Sequence, residues 1–370
     1  MKWSIDRKLT DSCKGRGSVG NLGNMRVGWV VGRYGNHPAV RWRFGAYAKL
    51  RGFVPIEATL KGSYDVVWLS QVADYTRWEK YPRSGAKLIL DLCDNYLSEP
   101  ACTPKDTARE LGKFIFRQHT NLRFSFHNVV EAMCCRADAV VVGSDMQMEH
   151  VKPFCSEVVK IPDIHTDSLG CRKSDYRSGE TFNIGWEGFP AMTNLVTIMP
   201  VLRRLAEKHK LALHIVTNAR QYRFRSHFGR DVRRALEKTC HGVQFYLYDW
   251  TSAMVSRILA GCDLAIIPLD MRDKFTSGKP ANKLIFLWQQ GIPVITSALP
   301  SYITEMEQCG TAMYCRNDTE WFEMLEHYSS SESARRNAAE RAVKYVDDKY
   351  SESRIAGEWD RLLCRLANAK

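Results

Sequence analysis

No run of apolar residues in this chain approaches the ~20 needed to span a bilayer as a helix. The opening stretch, Met1 to Asn24, is polar and rich in Gly, Ser and Lys, and it lacks the apolar centre of a secretory signal. With no such segment, a cytoplasmic location is expected. Paired cysteines are missing too. The chain has 12 cysteines, but none forms a C-x-x-C pair, and Cys134 and Cys135 are simply adjacent. A zinc site wants spacings such as C-x₂₋₄-C, so no metal site is expected. Scattered thiols inside apolar runs, such as Cys93 and Cys262, read as small buried side chains in a reducing compartment. Short repeats and low-complexity tracts are also absent.

What is present is ordinary globular material in quantity. At 370 residues, 45% hydrophobic and 25% charged, the chain can bury a large core without a staple. Domains run ~100–200 residues, so two are expected. The net charge of +12 favours an anionic partner: a phosphate-bearing ligand, nucleic acid or an anionic membrane.

Short, nearly continuous apolar runs mark buried parallel strands. They fall at Met25–Gly32, Tyr64–Ser70, Lys87–Leu92, Asp138–Ser144 and Val158–Asp163. Helical patterns lie between them, at Val40 to Arg51 and at Thr107 to Arg136. A polar segment, Asp167 to Glu180, reads as a linker, after which the pattern restarts. Strands are expected at Thr181–Gly188, Leu211–Thr217, Val243–Trp250, Asp263–Leu269 and Gly291–Ser297, and two helices close the chain. Strand–helix alternation indicates α/β domains with parallel sheets covered on both faces. The expected division is a flexible extension over 1–24, one domain over 25–170, a second over 180–350, and a final helix over 351–370. Ligands bind beyond the carboxyl ends of such strands, so the cleft between two such domains is the natural site.

The chemistry concentrates in DLAIIPLDMRDKFTSGKPANKLIFLWQQGIPVITS, Asp263 to Ser297. A buried strand is followed by a loop with Lys274, Ser277, Gly278 and Lys279. A helix then opens near Asn282 with Lys283 in its first turn. A helix N-terminus carries unpaired N–H groups and partial positive charge, so a lysine there is costly unless an anion joins it. Ser, Gly and Lys at that point make a phosphate cradle.

KPANKLIFLWQQGIPVITS resembles the donor-binding motif of GT-B glycosyltransferases of the group-1/family-4 type. FNIGWEGFPAMTNLVTIMPVLRRLA and YDWTSAMVSRILAGCDLAIIPLD resemble that family's segments in the same order, as do KLILDLCDN, ADAVVVGS and VVKIPD. The resemblance spans roughly residues 25–345. It implies two Rossmann-like, doubly wound domains facing across a cleft. It further implies transfer of a sugar from a nucleotide-sugar donor, with no cofactor and no metal, and a last helix that crosses back to the first domain. By matched position, Lys279, Asn282 and Lys283 would bind the diphosphate or donor sugar. Gly185 and Gly188 would let the backbone approach the donor. Tyr248 and Trp250 fall where the base is contacted, although core packing at a strand end is the other reading. One departure stands out. Where that family carries a glutamate that binds ribose, this chain has Phe286, and Gly278 replaces the upstream member of the pair. Asp270 is the substitute polar group nearest at hand.

The first domain is expected to bind the acceptor, a surface glycan or lipid-linked saccharide. His37, in the loop Gly32–Arg43, is a candidate general base, its ordinary pKa being about 6.5. Arg41 and Arg43 are suited to an anionic acceptor. Asp91 and Asp94, at a strand's carboxyl end, are candidate carboxylates for deprotonating an acceptor, or else a turn and helix cap. The basic aromatic stretch Gly112–His127 fits an anionic membrane or a long interior helix. Gln221–Arg234 fits nucleic acid weakly. Three further readings stay open beside glycosyl transfer to a saccharide. One is a catalytically silent relative acting as a binding subunit, prompted by Phe286. Another keeps the chemistry and changes the acceptor, a DNA-modifying glycosyltransferase. The third changes the reaction on the same fold, a sugar-nucleotide epimerase that turns over the donor alone.

Overall fold

A computed structural model describes residues 25–32, 37–82, 85–98, 103–170, 172–188, 192–218, 220–223 and 228–368. The extension expected over 1–24 lies outside them, as do residues 33–36 of the first loop and 224–227 of the basic stretch. Among the described residues, two six-stranded sheets follow one another along the chain. The first uses β1 (Val27–Val30), β2 (Ile56–Glu57), β3 (Val66–Ser70), β4 (Lys87–Asp91), β5 (Ala139–Val142) and β6 (Val158–Lys160). The second uses β7 (Phe182–Glu187), β8 (Leu211–Thr217), β11 (Gln244–Asp249), β12 (Leu264–Ile267), β13 (Val294–Ser297) and β14 (Tyr314–Cys315). A separate antiparallel hairpin joins β9 (Arg220–Arg223) to β10 (Phe228–Asp231).

Both large sheets are parallel throughout. Their orders are β2-β1-β3-β4-β5-β6 and β11-β8-β7-β12-β13-β14. Each order reverses once, between β1 and β3 and between β7 and β12, and such switch points open the ligand crevice of a doubly wound sheet. The central strands are apolar on both faces because helices cover both: β3, β4, β5, β12 and β13 are buried almost end to end.

Two expected helices prove to be broken. The pattern read from Val40 to Arg51 divides into Pro38–Arg41 and Phe44–Arg51, because Arg43 leaves helical geometry to reach inward. The stretch read from Thr107 to Arg136 divides into Pro104–Ile115 and Phe126–Arg136. Arg117, at φ 53°, ends the first, and Ser125 caps the second. The short edge strand β2, the hairpin, and the helices Pro300–Cys309 and Asp318–Ser330 carry no strong period in sequence.

The closing helices part company. Glu332–Lys349 stays on the second sheet, where buried Arg335 donates to the carbonyls of Tyr176 and Tyr328. Glu352–Asn368 lies against the first. Its Trp359 ring meets Phe44 at 5.5 Å, and Tyr47 donates to Asp360 at 2.8 Å. No helix among the described residues is long and apolar enough to cross a membrane.

The feature that positions the cleft is a buried cation. Arg43 is fully buried. Its Nη2 donates to Asp91 Oδ1 at 2.6 Å and its Nε to the same carboxylate at 3.0 Å. Its Nη1 donates to Asp163 Oδ1 at 3.1 Å and to the Ile161 carbonyl. One side chain thereby ties the end of β4 to the segment leaving β6. Asp163 in turn donates its backbone N–H to Asn282 Oδ1 of the second domain at 3.4 Å. Burial pushes both carboxyls upward, and the guanidinium opposes that shift. Removing the guanidinium leaves two buried carboxylates uncompensated. Arg43→Met is expected to cost about 3–5 kcal/mol in urea denaturation; a loss under about 1 kcal/mol would show that the network does not hold the domain.

Candidate active site

The carboxyl ends of both sheets converge on the loop between β12 and the helix Asn282–Gln289. That helix begins at Ala281 with no side-chain cap and no acidic residue in its first turn. Its N–H groups and dipole therefore face the cleft unanswered by a carboxylate of its own. Lys283 escapes the cost anticipated for it by borrowing an anion from the neighbouring strand. Its Nζ donates to the Glu187 carbonyl at 2.8 Å and lies 3.0 Å from Glu187 Oε2, at the end of β7.

Lys279 has no such relief. It is half-buried, and among the described residues no hydrogen bond or ion pair reaches its ammonium. Burial, with the charge of Lys283 beside it, holds its amine below the ordinary 10.5. Two lysines whose charges act on one another at a helix N-terminus form a site that an anion stabilises.

The first domain closes over this loop. Ser144 Oγ donates to the Gly278 carbonyl at 2.7 Å. A Cβ on Gly278 would lie 1.9 Å from Asn95 Nδ2, and one on Gly143 would lie 2.8 Å from Pro280 Cβ. Both glycines exist because the two domains touch there. The charge of Asp94 acts on both Lys279 and His37. Asp94 Oδ2 accepts from Gln71 Nε2 at 2.9 Å, and the Asp94 and Cys93 N–H groups donate to Gln71 Oε1. His37 caps the helix Pro38–Arg41, its Nδ1 accepting from the Ala39 N–H at 3.2 Å. Its proton therefore resides on Nε2, the nitrogen left for a ligand, and burial lowers its pKa. As capped, the ring is a hydrogen-bond donor; acting as a base requires release of the cap.

An aromatic cluster fills the adjoining part of the interface. Phe286 is only 3% exposed. Trp42 of the first domain stacks on it at 6.0 Å, and His165 meets it edge-on at 5.3 Å. Trp250 lies 6.2 Å from Trp42. The Arg41 guanidinium sits over both indoles, 5.2 and 5.1 Å from their centres, and donates to Ser252 Oγ at 2.8 Å. At the position where the resembled family binds ribose, this protein has apolar packing across the cleft.

The structure thus brings together His37, Asp94, Lys279 and Lys283, with Trp250 nearby. The other predicted residues sit otherwise. Asp91 is committed to Arg43 inside the first domain. Asn282 turns its oxygen to Asp163. Asp270 pairs with Arg272, which holds its carboxyl down to about 2. Ser277 donates to the Lys274 carbonyl within its own turn. Tyr248 bonds His214 and stacks beside it on the sheet face. Gly185 makes room for Leu259 and Cys262, and Gly188 for the Trp186 ring, so packing accounts for both. Sequence reasoning missed Glu187, Asn95, Gln71 and Trp42. Of these, Glu187 carried a signal: an acidic residue closing a strand immediately before a glycine.

A cavity of about 90 Å³ beside the loop is lined by Lys279, Asn282, Ser144 and Ser301. A larger one, about 400 Å³, opens at the switch point of the first sheet. Trp29, Gly32, Gln71, Asp74, Tyr96 and His119 are among its walls. Gly32 is obligatory there, since its φ is 65° and a Cβ would strike the Val72 carbonyl at 2.2 Å.

No family model and no curated protein matches this sequence. Solved structures do. HepE of Anabaena, in complex with UDP and glucose, superposes with a TM-score of 0.61 at 10% identity, over 92% of this chain and 99% of that one. WaaG, a glycosyltransferase involved in lipopolysaccharide biosynthesis, gives 0.54 at 12%, over 91% and 99%. TarM of S. aureus, bound to UDP, gives 0.55 at 10%; it matches 82% of this chain, which spans only 55% of TarM. The architecture, two facing doubly wound domains, is the GT-B fold.

The aromatic cluster makes stability depend on pH. His165 is buried, its Nδ1 bonded to Gln289 Oε1 at 3.0 Å, and burial lowers its pKa to about 4 from 6.5. Below pH 6.5 the unfolded chain binds a proton that the folded chain refuses, so stability falls as pH falls toward 4. The loss attributable to His165 is on the order of 3 kcal/mol. Denaturation of His165→Gln between these pH values should show a shallower slope; an unchanged slope assigns the pH dependence elsewhere.

Proposed function

We propose that this protein transfers a sugar from a nucleotide donor, bound by the second domain, to a saccharide acceptor held by the first. The observation that carries the reading is the half-buried ammonium of Lys279, unpaired among the described residues, beside Lys283 at an uncapped helix N-terminus and the carboxyl ends of the second sheet. That arrangement suits a diphosphate. In glycosyl transfer the leaving diphosphate gains negative charge, and cations placed to meet it lower the barrier. The two lysines and the helix N-terminus supply positive charge, so the reading needs no divalent metal. Lys283 would exchange Glu187 for the phosphate or hold both. HepE and TarM bind UDP, which makes UDP-sugars the first donors to try.

The acceptor side is the 400 Å³ cavity at the first switch point. Asp94 is bonded to Gln71 of that cavity's wall, and its charge reaches both Lys279 and His37, so it is the carboxylate assigned to the acceptor, with His37 Nε2–H as a donor. The group-1/family-4 assignment rests on the KPANKL motif. Phe286 favours a second reading, a silent relative, because a buried phenyl cannot hold a ribose.

A thermal-shift screen against nucleotide sugars decides between them. A true donor at a hundredfold excess over Kd adds about 2.7 kcal/mol of stability. Lys279→Ala should weaken binding about 10- to 100-fold, the worth of one charge-assisted phosphate contact. Stabilisation by no nucleotide sugar would favour the silent relative. The pH dependence has a fixed sign. A bound diphosphate restores the lowered Lys279 pKa toward its ordinary value, so binding takes up proton. Affinity should fall as pH rises through the free-state pKa, below 10.5, and Lys279→Gln should flatten that profile. A wild-type profile as flat as the variant's would remove Lys279 from the phosphate site.

A further inference from the structure

The helix Pro104–Ile115 is built inside out. Its buried members are Asp106 and Glu110, while Leu111, Phe114 and Ile115 stand 42%, 38% and 63% exposed. Phe124, on the segment that follows, is 60% exposed. The inversion has a local cause. Glu110 Oε1 accepts from Lys113 Nζ at 2.7 Å and its Oε2 lies 2.9 Å from His119 Nδ1. Asp106 accepts from Arg109 and sits in the first turn behind the cap of Thr103. The carboxylates are drawn inward by these bonds, and Leu111, Phe114 and Ile115 are left exposed to water. Among the described residues, none covers them.

The charge left outside is mostly positive. From Thr103 to His127 the only acidic residues are Asp106 and Glu110, both buried. Arg109, Arg117 and Arg123 lie on the same segment, Arg123 paired with Glu79, and Lys80 and Arg77 are exposed beside it. Lys80 donates to Asn121 at 3.1 Å, which fixes that proximity. A second copy of the chain would bring like charges together on this face. An anionic lipid surface satisfies both features: apolar side chains enter the acyl boundary, and cations meet headgroups.

We propose that the face formed by Leu111, Phe114, Ile115 and Phe124, with its surrounding arginines and lysines, docks on an anionic membrane. The same segment forms a wall of the 400 Å³ cavity, through Lys113, Gln118, His119 and Thr120. Docking sets that cavity beside the lipid surface. Taken with the glycosyl-transfer reading, on which this consequence alone rests, the acceptor class is a saccharide carried on a lipid.

The test is co-sedimentation of the full chain with phosphatidylcholine vesicles, with and without phosphatidylglycerol. Binding is expected only with phosphatidylglycerol, and to weaken as salt rises. The pair Ile115→Asp and Phe124→Asp should lower it about tenfold or more. Val196→Asp, which charges an exposed valine of the second domain, should not change it. Melting temperature and nucleotide-sugar stabilisation, measured on every variant, separate a folding defect or a failed donor site from a failed docking face. No binding to phosphatidylglycerol vesicles, or equal binding by the double variant, overturns the proposal. Self-association of the wild type that the double variant abolishes would give the face to a second copy instead.

Discussion

The Arg43 guanidinium is the constraint on which the cleft depends. Its hydrogen bonds to Asp91, Asp163 and the Ile161 carbonyl gather three segments of the first domain at one point. Through Asp163 the network touches Asn282, the first residue of the helix that presents Lys283. A buried ion network is a poor source of net stability, since desolvation consumes most of its Coulombic gain. What this one provides is placement. It breaks the first helix at Arg43, sends Trp42 across the cleft to Phe286, and brings His37 to the cap that orients it.

On the other side of the cleft the organising fact is an excess of positive charge. Glu187 neutralises Lys283 from within, and Lys279 is left over. A protein at rest tolerates such a group when a ligand completes it. The apolar cluster next door has the opposite character. Trp42, Trp250, Phe286 and His165 form an aromatic seam, with Arg41 bonded to Ser252 across it. The 90 Å³ cavity beside Lys279 is smaller than a nucleotide sugar needs, so a donor bound there calls for the two domains to part, and with them the seam that joins them.

Much of the fold was legible because parallel sheets write themselves in continuous apolar runs. VVWLS, LILD, AVVV and LAII each became a central strand. The broken helices were not legible. Nothing in the period of Val40–Arg51 distinguishes an arginine on a solvated face from one turned into the core by two distant aspartates. The site was partly legible for the same reason in reverse. Lys279 and Lys283 lie where loop and helix chemistry put them, and their region was readable as a cradle. The roles of Asp91, Gly185 and Tyr248 depend on partners 48, 74 and 34 positions away in sequence, Arg43, Leu259 and His214, which only the folded chain reveals. Glu187 and Trp42 were overlooked because their importance lies in what the opposing element brings to them.

The most direct test of the central claim is a crystal structure of the protein grown with UDP. The account places the diphosphate at the N-terminus of the helix Asn282–Gln289, with an oxygen about 2.7–2.9 Å from Lys279 Nζ. It also has Trp42 displaced from Phe286 to admit the nucleotide. UDP bound away from both lysines, or a cleft that stays closed and empty at saturating UDP, would contradict it.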